Sequence, residues 1–320
     1  MCIRDRINGV EVDRTRALGV TSSIKSYLSC GSDEYYCYEN AGWTFKNNTS
    51  ILDSTSGSFS ACIPLKYWMG FFEDFKKILV NSRLELILTR KNVDPFKTVA
   101  GATTSATVTA IEIKNIVWKI PHISVDDKER LKLMKNIERE KSLFIPFRSY
   151  ETYEYPELGD SRKVVWNLKT ASKLEKPRYV IIGLRKNDDK EKDNSKFDHC
   201  NLTNVKVYLN SVMYPYNDLN LDFGKKNYAL LYDMYTSFQE SYYEKGTRSP
   251  LLSPSQFLER GPIIVIDTSK QNDSVTASSV DVSLEIEASE NLKGVSAYCI
   301  LIHDRIVEYI PLTREVRKLV

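Results

Sequence analysis

The chain has 320 residues, with 45 Lys and Arg against 42 Asp and Glu and a formal net charge of +3, a balance that leaves no polyanion-binding tail. Hydrophobic residues make up 42% and there are 19 Tyr and 12 Phe, a composition that suits aromatic-rich strands in a globular protein. No apolar run has the length of a membrane-spanning helix, no signal peptide opens the chain, and Cys2, Cys30, Cys37, Cys62, Cys200 and Cys299 form no CxxC pair of the kind structural zinc needs.

Met1 to Arg6 read MCIRDR, which matches a translated sequencing-library adapter; residues 1–6 are therefore set aside as an assembly artefact. Asn8-Gly9 before Val10-Glu11-Val12 predicts a type I′ hairpin, whose first strand is expected from upstream sequence. Thr21 to Leu28 predicts a short helix capped by Thr21 or Ser22. Leu84 to Leu88 predicts a strand, and Lys97 to Thr107 a small, polar loop. Val108 to Ile120 alternates apolar and polar with one slip, the pattern of a half-buried strand with a bulge, ended by Pro121. Val125 to Glu140 places Leu131, Met134 and Ile137 at helical spacing under heavy charge, an amphipathic surface helix.

Leu143 to Tyr155 is aromatic and extended, and Pro156 to Ser161 is the best linker. Strands follow at Lys163 to Leu168, Tyr179 to Leu184 and Val205 to Leu209, with a charged, solvated loop at Arg185 to Lys196. Tyr228 to Tyr243 predicts a helix with Leu231, Met234, Tyr235 and Phe238 on one stripe. Pro262 to Ile266, Val280 to Ile286, Ala297 to Ile302 and Arg305 to Ile310 predict the remaining strands, with a turn near His303. Strands dominate and do not alternate with crossover helices, so the pattern is all-β: two β-sandwiches, 7–157 and 158–320, with short helical insertions.

Three blocks carry a resemblance. They are Ile7 to Ser29 with Glu39 to Trp43 (ENAGW), Ile63 to Arg90 with Ile116 to Ile123 (IVWKIPHI), and Trp166 to Leu184 with Phe197 to Phe223. In this order they resemble the double jelly-roll major capsid proteins of Polinton/Maverick elements and their virus relatives. The resemblance implies two fused jelly rolls, the first N-terminally truncated here because strands are expected before the NGVEVDR hairpin. It also implies a structural protein with no catalytic residues, no cofactor and no metal. Its partners are further copies of itself, as a homotrimer and then a pseudo-hexagonal capsid lattice, together with penton and minor capsid proteins. The implied location is the virion capsid, with host cytoplasm or nucleus during assembly and no secretion.

Chemistry finds little footing in the residues. His122, His199 and His303 are too dispersed for a cupin metal set. His199 and Cys200, as neighbours on a strand, would point to opposite faces and could not act as base and nucleophile. Glu73-Asp74, followed by Lys76-Lys77, reads as a charged surface turn, not a carboxylate pair for glycoside hydrolysis. Neither GxxxxGK[ST] nor GxGxxG occurs. Tyr35-Tyr36-Cys37-Tyr38, Tyr150 to Tyr155 and Tyr242-Tyr243 suit packing and subunit contacts better than stacking on sugars or bases. The mixed-sign Lys190 to Lys196 run argues against nucleic acid. With reduced thiols expected, the sequons at Asn47, Asn48, Asn201 and Asn272 carry no glycan. Three readings follow: a capsid protein, a domesticated lectin-like binding or scaffold module, and, last, an enzyme on a jelly-roll scaffold.

Overall fold

The computed structural model describes residues 1–43, 53, 57–90, 112–139, 141–170, 176–187, 195–271 and 280–319. The chain opens with strands β1 (Cys2–Ile7) and β2 (Val10–Thr15). Between them Asn8 and Gly9 take φ of 51° and 84°, the two left-handed positions a type I′ turn demands. Residues 2–7 thus supply the strand that the sequence led us to seek upstream. Ile3 and Ile7 face inward, as period two dictates, and are fully buried. Helices α1 (Leu18–Ser29) and α2 (Tyr35–Asn40) follow, then a 3-10 turn (Leu65–Tyr67), helix α3 (Gly70–Asp74) and strand β3 (Leu84–Thr89). β1 is the middle strand of an antiparallel sheet ordered β2-β1-β3.

Helix α4 (Asp127–Glu138) begins at Asp126, whose side chain accepts from the Glu129 amide at 2.9 Å. The second half contains β4 (Leu143–Tyr155), β5 (Lys163–Leu168), β6 (Pro177–Lys186), β7 (Leu202–Leu209), β8 (Val212–Tyr214), α5 (Ala229–Tyr243), α6 (Pro254–Arg260), β9 (Ile264–Asp267), β10 (Val282–Ala288), β11 (Val295–Ile310) and β12 (Glu315–Leu319). One antiparallel sheet runs β5-β10-β7-β8; a second runs β12-β11-β6-β9, with β4 also on β11. Their inward residues share one core, in which Trp166 of β5 meets Tyr155 of β4 edge-on at 5.5 Å. On the other face of the second sheet, Tyr179 and Tyr150 meet Phe238 and Tyr242 of α5.

The two long strands join the halves. β4 pairs with β11 along its whole length, although β4 precedes the 157/158 division expected from sequence and β11 follows it. A second core forms at their far ends, from Ile7, Val12 and Phe71 against Ile145, Phe147, Val307, Tyr309 and Val316.

Several expectations need correction. β11 is one unbroken strand through His303, which is buried at its middle instead of lying near a turn. It stays extended there because β4 and β6 pair with it on both sides, which outweighs the local polarity of His303-Asp304. Residues 112–126 contain no strand: Ile113, Ile116 and Val117 are exposed, for among the described residues no neighbouring strand pairs with them. The expected segments 97–107 and 108–111 lie outside the described residues. α1 starts at Leu18 after Ala17, and Thr21 does not cap it; the Thr21 hydroxyl bonds Arg16 O at 2.9 Å and Thr152 Oγ1 at 2.6 Å. β12, α2 and α6 were not anticipated from the sequence.

Candidate functional site

A buried charge cluster forms where α1, α3, β4 and α5 meet. α1 is small or apolar on its inner face except for Lys25, 3% exposed. α3 delivers Glu73 and Asp74, β4 delivers Arg148 and Tyr150, and the end of α5 delivers Tyr242 and Tyr243. Lys25 Nζ lies 2.7 Å from Glu73 Oε2, donates to Lys66 O at 2.6 Å and sits 4.4 Å from the Tyr150 ring centre. Tyr243 donates to Glu73 Oε1 at 2.9 Å, and the Tyr150 and Tyr242 hydroxyls are 2.6 Å apart. Arg148 binds Asp74 through Nε and Nη2, gives Nη1 to Tyr242 O at 2.7 Å, and stacks its guanidinium 3.9 Å from the Tyr242 ring.

Electrostatics follow burial and pairing. Burial lowers the Lys25 pKa, and the Glu73 carboxylate only partly offsets that. Burial works against the Asp74 carboxylate, but its bonds to Arg148 prevail and hold its pKa below the usual range. Burial pushes the Tyr150, Tyr242 and Tyr243 hydroxyls upward, so they remain protonated donors. None of these side chains has a buried polar atom left without a hydrogen bond. Two surface pockets, of about 420 and 510 Å³, are lined by other residues. The cluster is therefore a clamp: its donors and acceptors are spent on one another, and neither pocket brings a substrate to them.

Beside it lies a carboxylate pair. Asp13 is buried and accepts from the Phe71 amide at 3.1 Å, the Arg14 amide at 2.9 Å and Ser149 Oγ at 3.2 Å. Asp5 stands opposite it in the β1–β2 register and is fully buried. Further along β4, Glu151 accepts from Tyr153 and Arg305, each at 2.7 Å, and lies 3.9 Å from His303 Nε2.

The residues weighed in the sequence fall elsewhere or behave differently. Glu73-Asp74 is no surface turn: its partners Lys25 and Arg148 draw both carboxylates inward. His199 and Cys200 lie in a turn before β7, not on a strand, because Cys200 and Asn201 take left-handed backbone with φ of 45° and 49°. His199 stacks on Phe223 at 4.3 Å and accepts the Asn201 amide on Nδ1. His122 is exposed, and the three histidines do not converge. Among the described residues no three His, Cys, Asp or Glu are placed to hold a metal ion, and no helix is long and apolar enough to cross a membrane. Tyr38 stacks on Tyr67 at 4.1 Å within the packing, as the tyrosine-rich stretches suggested. Asn47, Asn48 and Asn272 lie outside the described residues. Lys25 and Arg148 were missed; each is a lone cation in an otherwise small, apolar or aromatic run, and that isolation was the available signal.

A family model described as a double jelly roll-like domain matches residues 1–307. No curated protein matches the chain. Among solved structures, PBCV-1 VP54, fitted into a reconstruction of the Sputnik virophage, aligns with a TM-score of 0.50 at 9% identity over 100% of this chain and 83% of that one. A quasi-atomic model of the PBCV-1 virus capsid aligns at 0.49 and 10% identity, again over 100% and 83%. The Sputnik virophage structure by cryo-EM aligns at 0.37 and 9% identity over 56% of this chain, which spans only 39% of that one. At such identities the likeness is one of fold.

Proposed function

We propose, from the premise that the chain belongs to the double jelly roll-like domain family, that it is a major capsid protein whose activity is self-assembly. Three copies form a pseudo-hexagonal capsomer, and capsomers tile an icosahedral shell encoded by a Polinton/Maverick-type element or a related virus. The two jelly rolls that the family implies, repeated threefold, make a nearly six-sided block suited to hexagonal packing. The observation that carries this reading is the family match over 1–307. The charge cluster is compatible with it: its donors and acceptors are paired with one another. No catalytic residue, cofactor or metal is assigned. The virion capsid is the proposed location.

Light scattering after size exclusion tests the proposal. Three chain masses, followed by hexagonal arrays or shells in electron micrographs, are expected. A well-folded monomer at all concentrations, with saturable glycan binding, would instead establish the lectin-like module.

A further inference from the structure

β3 ends the β2-β1-β3 sheet, and among the described residues it pairs with β1 alone. The Asn8 amide donates to Arg83 O at 2.9 Å, and from there the β1–β3 register runs without a shift to Cys2 and Thr89. Antiparallel ladders alternate, so Glu85, Ile87 and Thr89 direct their backbone groups to β1, while Leu84, Leu86 and Leu88 turn theirs to the open edge. The side chains of those leucines lie on the inner face with Ile3 and Ile7, yet none is fully buried. The sheet thus stops at a row of open ladder groups and half-covered leucines.

A segment with the matching pattern runs beside this edge without forming a strand. Trp118 meets Phe72 edge-on with ring centres 6.4 Å apart, and Phe72 packs with Leu86 and Leu88 against Ile3, Leu18 and Met69. Ile116 and Val117 are 61% and 66% exposed. Set antiparallel to β3 with Ile120 opposite Leu84, the segment places Ile120, Trp118 and Ile116 against Leu84, Leu86 and Leu88 on the inner face. On the outer face Lys119 meets Glu85, Val117 meets Ile87 and Asn115 meets Thr89. A slip of one residue turns the apolar row outward. A slip of two brings Lys114 opposite Leu88 in one direction, and His122 opposite Leu84 in the other. The ladder also has natural ends: Pro121 stops it beside Arg83, and beyond Thr89 the like charges of Arg90 and Lys114 would face each other.

We propose that Asn115 to Ile120 close onto the open edge of β3 as a fourth strand of the first sheet, a strap carried by the same chain. The inference goes beyond self-assembly and does not depend on it. Closed, the strap pairs the edge and covers the leucine row. Open, it leaves an edge on which another chain can add a strand. The contact of Trp118 with Phe72 keeps this chain's own segment beside the edge, which favours it over a neighbour's.

In this ladder residues 85 and 119 form a non-hydrogen-bonded pair, with Cα atoms about 4.5 Å apart, inside the range a disulfide spans. The test is Glu85→Cys/Lys119→Cys in the full chain, with the exposed thiols removed by Cys37→Ser and Cys62→Ser. Mild oxidation is expected to join positions 85 and 119 within one chain, read by peptide mapping of the non-reduced monomer. The yield is expected well above that of the off-register control Glu85→Cys/Lys114→Cys. Hydrogen exchange gives a second readout in the chain without added cysteines. Ile116→Pro, at an exposed position, removes the donor to Leu88 O and is expected to speed exchange at the Leu86 and Leu88 amides about tenfold. A link no more abundant than the control, or one found only between chains, overturns the strap. Equal exchange at Leu86 and Leu88 in wild type and Ile116→Pro overturns it as well.

Discussion

Arg148 grips Asp74 three times, through its backbone amide at 2.8 Å, Nε at 2.9 Å and Nη2 at 2.5 Å. The grip fastens α3, and through it the first sheet, to the strand that pairs with β11. Both side chains are mostly buried, so their value lies in being paired. Asp74→Asn or Arg148→Met alone leaves a buried partner uncompensated and is expected to cost about 3–5 kcal/mol in urea unfolding. The double variant Asp74→Asn/Arg148→Met is expected to lose clearly less than the two single losses combined. Strict additivity would show that the pair is not coupled.

Gly70 makes that grip possible. A Cβ there would lie 1.6 Å from Arg148 O, a backbone atom that cannot move aside. Gly70→Ala is therefore expected to lower stability by roughly 3 kcal/mol or more, beyond ordinary overpacking. At Gly19 nothing lies within 4 Å of an added Cβ, so Gly19→Ala is the control. Equal melting temperatures for Gly70→Ala and Gly19→Ala would refute the close-approach argument.

Asp5 gives the chain a pH dependence. Burial, and then the facing Asp13 carboxylate, raise its pKa from 3.8 to about 7. Between those values the folded chain keeps a proton that the unfolded chain has released. Stability therefore falls as pH rises through this window and levels off above it. The loss is on the order of 4 kcal/mol. Asp13, raised chiefly by burial, contributes with the same sign. Asp5→Asn is expected to flatten most of the slope, making the variant more stable than wild type at pH 8 and little different at pH 4. Matching urea midpoints for the two proteins at both pH values would sink this account.

The thiols are expected to separate by burial. Cys37 and Cys62 are exposed, whereas Cys30, Cys200 and Cys299 are buried. Burial pushes the Cys30 thiol up to about 12 and raises Cys299 as well. A thiol-disulfide reagent at pH 8 is expected to label Cys37 and Cys62 quickly, with Cys30, Cys200 and Cys299 reacting only after denaturation. Rapid labelling of Cys299 in the native chain would contradict its place in the core.

Where one face of a strand meets solvent, the pattern is legible in the sequence. β10 alternates buried and open positions residue by residue, as its sequence does, whereas in β5 the run Val164-Val165-Trp166 hides the alternation that leaves Val165 exposed. The Asn8-Gly9 turn is equally plain, because left-handed backbone at two successive positions restricts the choice of residue. Residues 112–120 have the same alternation yet form no strand, since a ladder needs a partner that alternation alone cannot supply. Glu73-Asp74 misled for a related reason. The neighbouring Lys76-Lys77 suggested a solvated turn, whereas the cations that matter, Lys25 and Arg148, are far away in the chain.

The sequence by itself determined what depends on near neighbours: most of the strands, the hairpin, the charged helix α4 and, through its ordered blocks, the double jelly-roll family. Backbone sterics and side-chain periodicity act over a few residues, so a linear string contains them. Only the tertiary structure decided which charges left water, which partners met them and which apolar faces stayed bare. Desolvation and Coulomb energy depend on distances across the fold. The union of Lys25, Glu73, Asp74 and Arg148 therefore exists only once α1, α3 and β4 have packed.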